Sequence, residues 1–449
     1  MTVSKKKLLA KANMPRKLAL EYHPFYRGKL EVMPKVPVRT SKDFAIWYTP
    51  GVAAPCEELH KDASAVFDYT GRWNYVAVVS DGTRVLGLGD IGPEAGLPVM
   101  EGKALLFKYL GGVDAFPMCL DVKDPDELIA AVKWISPTFG GVNLEDISSP
   151  KCFHILERLR EELSIPVWHD DQQGTALVTL AGLTNALKIV GKKLDEIKIA
   201  MIGSGAANIS VYRYLKVAGA NPGNVTMTDV KGMLTPERAN EDFFKQVAKA
   251  FGFNPCEETN ADGRTGGIPE AMKDADVCIA YSTPGPGVIK KEWVKSMADN
   301  AVIFACANPI PEIWPWEAEE AGAKIVATGR SDFPNQMNNS LGFPAVLRGA
   351  LDVAAKSITD EMCTAAAYAV AEYAEEKGIH EKYMVPTMEE TEMYIKEAVA
   401  VGTKAMEQGV ARNKLSRQEL GERASSIIKR AQEATKLLMS KKIILSPPE

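Results

Sequence analysis

The sequence predicts an α/β chain in which two successive domains, each built on a mostly parallel sheet, are followed by a helical C-terminal segment. Three observations predict it. Short apolar runs alternate with helix-length segments from Tyr75 to Trp168, as in a mostly parallel sheet. The alternation restarts after Gly191, this time with a Gly-rich turn between its first strand and first helix. From Ala345 to Lys442 the chain becomes Ala-, Glu- and Lys-rich and helical, with Gly378 and Pro386 as breaks. At 449 residues it is too long for one ordinary core. The expected domains are 18–175, 176–345 and 346–449.

Composition narrows the function classes. The chain is 46% hydrophobic and 25% charged, as in a globular protein. A net charge of −5 argues against nucleic acid and anionic membrane as partners. No apolar run approaches the roughly 18 residues a membrane helix requires. Seven cysteines, scattered from Cys56 to Cys363 without paired metal-type spacing, point to reduced thiols and a cytoplasmic location. Met1–Leu20 carries six Lys or Arg and no acid but lacks the Ser and Arg richness of an organelle transit peptide.

Taken in order, Pro24, Pro34 and Pro37 mark 18–40 as extended connector. Pro50-Gly51 forces a turn directly after Tyr48, an aromatic that in such a place ordinarily packs. Tyr75–Ser80 reads as a buried strand, and Asp81-Gly82-Thr83-Arg84 as a hairpin-like turn. Four glycines between Gly82 and Gly92 require backbone to pass close to a strand or a ligand. The stretch Leu97–Lys103 opens a helix over Ala104–Tyr109, which places Lys103 at a helix start, where the dipole should lower its pKa. Asp114–Asp121 is a strand. Asp124-Pro-Asp-Glu127 then reads as a capping box with Pro at the first helical position.

The next two strands, about 141–144 and 165–168, deliver adjacent acids: Glu145/Asp146 and Asp170/Asp171. Neighbours on a regular strand point to opposite faces, so both members of a pair reach one ion only where the strand ends. The helix-entry signals agree: Ser149-Pro150 as N-cap and first position after one pair, and the run Thr175–Val190 after the other. Four carboxylates, with no Cys and one His nearby, suit a hard cation such as Mg²⁺ or Mn²⁺ rather than Zn²⁺. Either pair alone could equally be helix capping.

The second unit opens with Lys198–Ile202 as strand, Gly203-Ser204-Gly205-Ala206-Ala207 as turn, and Ile209–Ala218 as helix. The two glycines allow the tight turn and close approach that a pyrophosphate needs, and the helix N-terminus supplies dipole and amides. Asn208 stands where a third Gly or Ala is usual. A second strand, Asn224–Thr228, ends at Asp229, in the place of the acid that hydrogen-bonds a ribose 2′-hydroxyl, with Lys231 close enough to bind a 2′-phosphate instead. Strands at 277–281, 301–307 and 324–327 close in Gly- and Pro-rich ends such as Asn308-Pro-Ile-Pro, which line a dinucleotide cleft. This predicts a Rossmann-type domain. The amide-rich loop Ser331–Pro344 lies where, across a cleft, its amides could hold a carboxylate.

These residues resemble the malic enzymes, most closely the compact bacterial-type branch. The motifs that carry the similarity are Tyr48-Thr-Pro-Gly-Val-Ala, Val85-Leu-Gly-Leu-Gly-Asp90, Leu144-Glu-Asp146, His169-Asp-Asp-Gln-Gln-Gly-Thr-Ala176, Ala307-Asn-Pro309 and Asn335-Gln-Met-Asn-Asn339. The resemblance implies Tyr48 as general acid, Lys103 as general base and Asp170 as the acid that orients the lysine. It implies Glu145, Asp146 and Asp171 as ligands of Mg²⁺ or Mn²⁺. Gly203, Ser204, Gly205, Ala206, Ala207, Asp229 and Asn308 would hold NAD or NADP, and Arg84, Asn308, Asn338 and Asn339 the malate. Arg84 departs from the compact branch, which often has a small residue there. No phosphotransacetylase-like stretch follows Leu351. The implied reaction is oxidative decarboxylation of L-malate to pyruvate and CO₂ in a homodimer or homotetramer. Two rivals remain: a two-domain amino-acid dehydrogenase, which needs no carboxylate-bound metal, and a non-catalytic dinucleotide-sensing protein.

Overall fold

A computed structural model describes residues 5–448, so Met1–Ser4 of the basic N-terminal stretch lie outside the described residues. The first sheet contains β1 (Tyr75–Ser80), β2 (Asp114–Cys119), β3 (Gly141–Leu144) and β4 (Val167–His169) in the order β2-β1-β3-β4, all parallel. β1 and β3 are buried along nearly their whole length, as expected of parallel strands covered on both faces. The helices Pro93–Gly111, Pro125–Ile135 and Lys151–Glu162 return the chain between successive strands. The acidic pairs therefore emerge at the carboxyl ends of β3 and β4, beside the point where the strand order reverses.

The structure corrects four local expectations. Lys103 is not at a helix start: its helix begins at Pro93, after Gly92 in a positive-φ conformation, and ends at the left-handed Gly112. Pro98 interrupts the helical ladder without ending the helix, because Gly96, Met100, Ala104, Phe107 and Leu110 are buried along one face and packing outweighs propensity. The segment 18–40 is not all connector, since a helix runs Lys5–Tyr26 and takes Pro24 into its last turn. The segment after β1 is no hairpin turn, because both neighbours of β1 are parallel; it loops over the sheet end, with Val85 bridged to Gly89. Finally, Ser149 does not cap its helix. Pro150 occupies the cap position without a side-chain bond, whereas Asp124 does cap its own helix by accepting from the Asp126 and Glu127 amides.

The second sheet holds β5 (Ile199–Ile202), β6 (Val225–Asp229), β7 (Gly232–Met233), β8 (Val277–Ala280), β9 (Val302–Ala305) and β10 (Ile325–Thr328). Its order is β10-β9-β8-β5-β6-β7, parallel except for the short β7. That is the dinucleotide-binding order, with its switch point between β5 and β8. The helix Thr175–Val190 leads from the first sheet to the second and is buried over most of its length. Four helices follow: Phe343–Asp352, Asp360–Lys377, Thr391–Glu407 and Arg417–Ser440. They close against the first sheet's layer, where Gln432 Nε2 donates to the Tyr109 carbonyl. At Gly349 any Cβ would lie 2.3 Å from the Ala398 carbonyl oxygen, so the crossing there requires glycine.

Candidate active site

Lys103 projects from the middle of its helix into the carboxyl end of the first sheet. Its Nζ lies 2.5 Å from Asp170 Oδ2 and 3.0 Å from Glu145 Oε1, and 4.2 Å from the centroid of the Phe343 ring. Both acids are buried and the lysine side chain nearly so. Burial by itself would lower the lysine pKa, but Asp170 and Glu145 outweigh it and the pKa is raised. The sign is opposite to the helix-start expectation. The cause is tertiary: two carboxylates from β3 and β4 meet the amine.

Asp170–Gly174 forms one wide helical turn with π-type hydrogen bonding, a feature frequent at functional sites. Trp168 Nε1 donates to Asp170 Oδ1 at 3.0 Å, leaving Oδ2 for the lysine. Gly174 is needed there, since a Cβ would stand 2.1 Å from Asp170 Oδ1. Asn339 donates to the Asp170 carbonyl at 3.1 Å and to Thr175 Oγ1 at 3.2 Å, so it braces the turn. Asn338 instead caps its own loop by accepting from the Ser340 amide.

Glu145, Asp146 and Asp171 form a separate constellation, with one oxygen from each within 4.8 Å of the others. Asn143 Nδ2 donates to Glu145 Oε2 at 3.0 Å, and the Asp146 amide donates to Asp171 Oδ2 at 2.8 Å. Asp146 sits at φ 55°, a left-handed backbone conformation that turns its carboxylate toward the cluster at a cost in strain. Its Oδ2 is buried without a partner. Burial, then the Asp171 charge, pushes Asp146 up to about 8. Burial, then the Asp170 charge, pushes Asp171 up to about 6. Burial raises Glu145 as well. Crowded, desolvated carboxylates with an orphaned oxygen are the donor set of a hard divalent cation. Such an ion would relieve their repulsion and weaken the negative charge that holds the proton on Lys103. His169 is buried and its pKa falls to about 3 through burial and then Lys103, so the neighbouring imidazole is neutral.

Arg84 stands at the mouth of this cluster: its amide donates to the Asp146 carbonyl at 3.0 Å, and its charge lowers the Asp171 pKa. Asn308, just beyond β9 of the second sheet, brings its main chain against the 85–89 loop. Its carbonyl would lie 2.4 Å from a Cβ on Gly87, which explains one of the early glycines. Tyr48 is not brought in. It is 72% exposed, and its hydroxyl has no partner among the described residues.

The nucleotide turn has the expected form. Gly203 has φ 99°, and a Cβ there would meet the Tyr281 carbonyl at 2.7 Å. Gly205 caps the helix Ala206–Val217 with no side-chain bond, so the first amides are free for phosphate oxygens. Ser204, Ala206 and Ala207 carry the turn into that helix. Asn208, the departure from the fingerprint, is fully buried and donates to the Ile202 and Gly203 carbonyls at 2.9 and 2.8 Å, closing the turn from inside. These features fit a dinucleotide.

Sequence reasoning missed Trp168, Asn143, Phe343 and Glu312. Glu312 is fully buried and ties two cleft loops together, accepting from the Ser282 amide and hydroxyl and from the Ala307 amide. Trp168 and Asn143 each lie two residues before an acid they hold, a spacing that could have flagged them. Nothing local marks Phe343 or Glu312.

A family model described as the malic enzyme N-terminal domain matches residues 27–160, and one described as the malic enzyme NAD binding domain matches 172–406. The bifunctional malic/malolactic enzyme of Bacillus subtilis (strain 168) is 49% identical over 414 residues, covering 92% of this chain and 98% of that protein. The NAD-dependent malic enzyme of Geobacillus stearothermophilus is 49% identical over 386 residues, covering 86% of this chain and 78% of that protein. The crystal structure of Entamoeba histolytica malic enzyme matches with a TM-score of 0.95 and 47% identity, covering 100% of this chain and 93% of that one.

Proposed function

The chain belongs to the malic enzyme family, and we propose that Lys103, Asp170 and Tyr48 move the protons of its reaction while Glu145, Asp146 and Asp171 hold its metal. The enzyme catalyses oxidative decarboxylation of L-malate to pyruvate and CO₂ with reduction of NAD(P)⁺. The observation that carries the residue assignment is the Lys103 amine seated between Asp170 and Glu145, next to the three-carboxylate cluster.

Bound NAD(P)⁺ would supply a hydride acceptor, and a divalent ion held by Glu145, Asp146 and Asp171 would supply Lewis acidity for the C2 carbonyl and the enolate. Lys103 takes the C2 hydroxyl proton at Nζ, with Asp170 fixing the direction of the amine. Arg84, Asn308, Asn338 and Asn339 hold the malate, Arg84 offering a cation to a carboxylate. Gly203–Ala207, Asp229 and Asn308 bind the dinucleotide. Phe343 and Trp168 exclude water from the amine and its partner. Tyr48 protonates C3 of the enol.

For that last role we infer a second copy of the chain. Tyr48 is exposed on a segment whose Phe44, Ile46, Trp47 and Val52 are exposed as well, an apolar surface suited to burial against a partner. We therefore read the enzyme as a homo-oligomer in which one protomer's Tyr48 completes its partner's site. We retain 18–175, 176–345 and 346–449 as its domain division, supported by the separate sheets at 75–169 and 199–328. A cytoplasmic location is supported by seven free cysteines.

Malate-dependent NAD(P)H formation tests the assignment. Lys103→Ala should lower kcat by roughly 10³-fold or more, and exhaustive EDTA should abolish activity until Mn²⁺ or Mg²⁺ is restored. Malate-dependent activity that survives exhaustive chelation would overturn the assignment of Glu145, Asp146 and Asp171 as metal ligands. Mixing Tyr48→Phe and Lys103→Ala proteins should restore activity through hybrid sites, whereas no recovery after verified subunit exchange would place both residues in one protomer.

A further inference from the structure

The end of β6 carries a four-residue charge network built around Asp229, three of whose members have no part in the assignment above. Asp229 Oδ1 accepts from the Lys231 amide at 2.8 Å and from Arg238 Nη1 at 2.9 Å, while Oδ2 accepts from Arg238 Nη2. The Arg238 Nε then donates to Glu241 Oε1 at 2.8 Å, and Lys231 Nζ donates to Glu241 Oε2 at 2.8 Å. Arg238 is largely buried and lies over the Phe244 ring, itself part of the core. Its fork is thus aimed at Asp229, with Glu241 occupying the remaining edge.

A carboxylate offers about four lone-pair directions. Three are taken here, two on Oδ1 and one on Oδ2, which leaves one on Oδ2 for an outside donor. A ribose hydroxyl supplies one such donor. A 2′-phosphate supplies none when ionised and brings roughly two negative charges to a carboxylate. The Arg238 fork is already engaged by Asp229 and Glu241, and the more exposed Lys231 amine pairs with Glu241. Next to the carboxylate, Val230 is fully exposed and offers apolar surface at the place where the base of the nucleotide would lie.

We propose that this network makes the enzyme selective for NAD⁺ over NADP⁺, with Asp229 as the acceptor for the adenosine ribose and Arg238 as the positioning residue that holds it. The inference rests on the malic enzyme reading for the presence of a dinucleotide, and it assigns the preference that reading leaves open. It also gives Lys231 a role other than phosphate binding, since its amine is tied to Glu241.

Fluorescence titration of NADH and NADPH onto the purified enzyme without malate tests this directly, with 5′-ADP and 2′,5′-ADP as competitors. Wild type should bind NADH at least about tenfold more tightly than NADPH, a difference of about 1.4 kcal/mol. Asp229→Ser should reverse the order by freeing the Arg238 fork for the phosphate, and Asp229→Asn serves the same test if the serine variant does not fold. Arg238→Met should weaken NADH binding, with the loss falling on KM for NAD⁺ rather than on kcat, and Arg238→Lys should restore part of it. Tighter or equal NADPH binding by wild type overturns the proposal, as does an Asp229 variant with an unchanged ratio. So does an Arg238→Met protein that loses NADPH while keeping NADH, because Arg238 would then be a phosphate ligand. Failure of the malic enzyme reading would show differently, as absence of malate-dependent reduction of either cofactor.

Discussion

Trp168 shows how much of the site depends on fully buried side chains that act through others. Its indole donates to one oxygen of Asp170 and so commits the other to Lys103. Trp168→Phe keeps the ring and removes the donor. We expect kcat to fall by roughly 10- to 100-fold, as for other groups that orient a functional residue, with an unchanged circular dichroism spectrum. Glu312→Gln keeps a single acceptor for the three donors gathered from the 282 and 307 loops. Its effect should appear in KM for the dinucleotide more than in kcat, measured by steady-state kinetics. The acidic residues themselves were legible in the sequence, because adjacent carboxylates at strand ends form a local pattern. The charge state of Lys103 was not, since its partners lie 42 and 67 positions away in the chain, at Glu145 and Asp170.

Among the elements, the wide turn 170–174 and the helix Thr391–Glu407 carry separate consequences. Gly174→Ala puts a methyl where Asp170 Oδ1 now lies. The turn must shift and Asp170 with it, so activity should drop well before the melting temperature does, a split that kinetics and calorimetry on one sample would reveal. In the C-terminal helix, Glu397 is fully buried and neither of its carboxylate oxygens has a partner among the described residues. Tyr394 and Glu390 are the titratable groups associated with it on the same stretch, and burial raises the Glu397 pKa well above its ordinary 4.5. The folded chain therefore keeps this proton after the unfolded chain has lost it. Stability contributed by the protonated form is present below pH 4.5 and declines as pH rises through the folded-state pKa. Glu397→Gln should flatten that decline and raise stability by about 1–3 kcal/mol at pH 8, read from urea unfolding at pH 5 and pH 8. An unchanged pH slope would show that Glu397 finds a partner in solution.

At the scale of the molecule, the proposed metal constellation would couple activity to folding. Glu145, Asp146 and Asp171 come from the ends of two strands and repel one another in the absence of a cation. Adding Mn²⁺ or Mg²⁺ should raise Tm, with about 2.7 kcal/mol gained at a hundred times Kd. EDTA should remove the gain, and a triple Glu145→Gln, Asp146→Asn, Asp171→Asn protein should be insensitive to both, as followed by differential scanning calorimetry. Ion pairs from Arg213 to Asp360 and Glu157, and from Arg160 to Glu157 and Asp360, join the Lys151–Glu162, Ala206–Val217 and Asp360–Lys377 helices across the first sheet, the second sheet and the C-terminal segment. The four C-terminal helices thus form part of the same packed body as the two sheets.

The sequence by itself determined the two parallel sheets, the strand ends that carry Glu145/Asp146 and Asp170/Asp171, and the Gly203–Ala207 turn, because periodicity, caps and glycines are written within a few residues of one another. Only the tertiary structure decided which group faces which. It set the start of the helix around Lys103 at Pro93 rather than Ala104, reversed the direction of the lysine's pKa shift, and turned Asn208 from a flaw in a fingerprint into the group that closes it. It also left Tyr48 exposed at the surface, outside the cluster built around Lys103. Burial and the convergence of distant carboxylates are properties of packing, and no local stretch of sequence contains them.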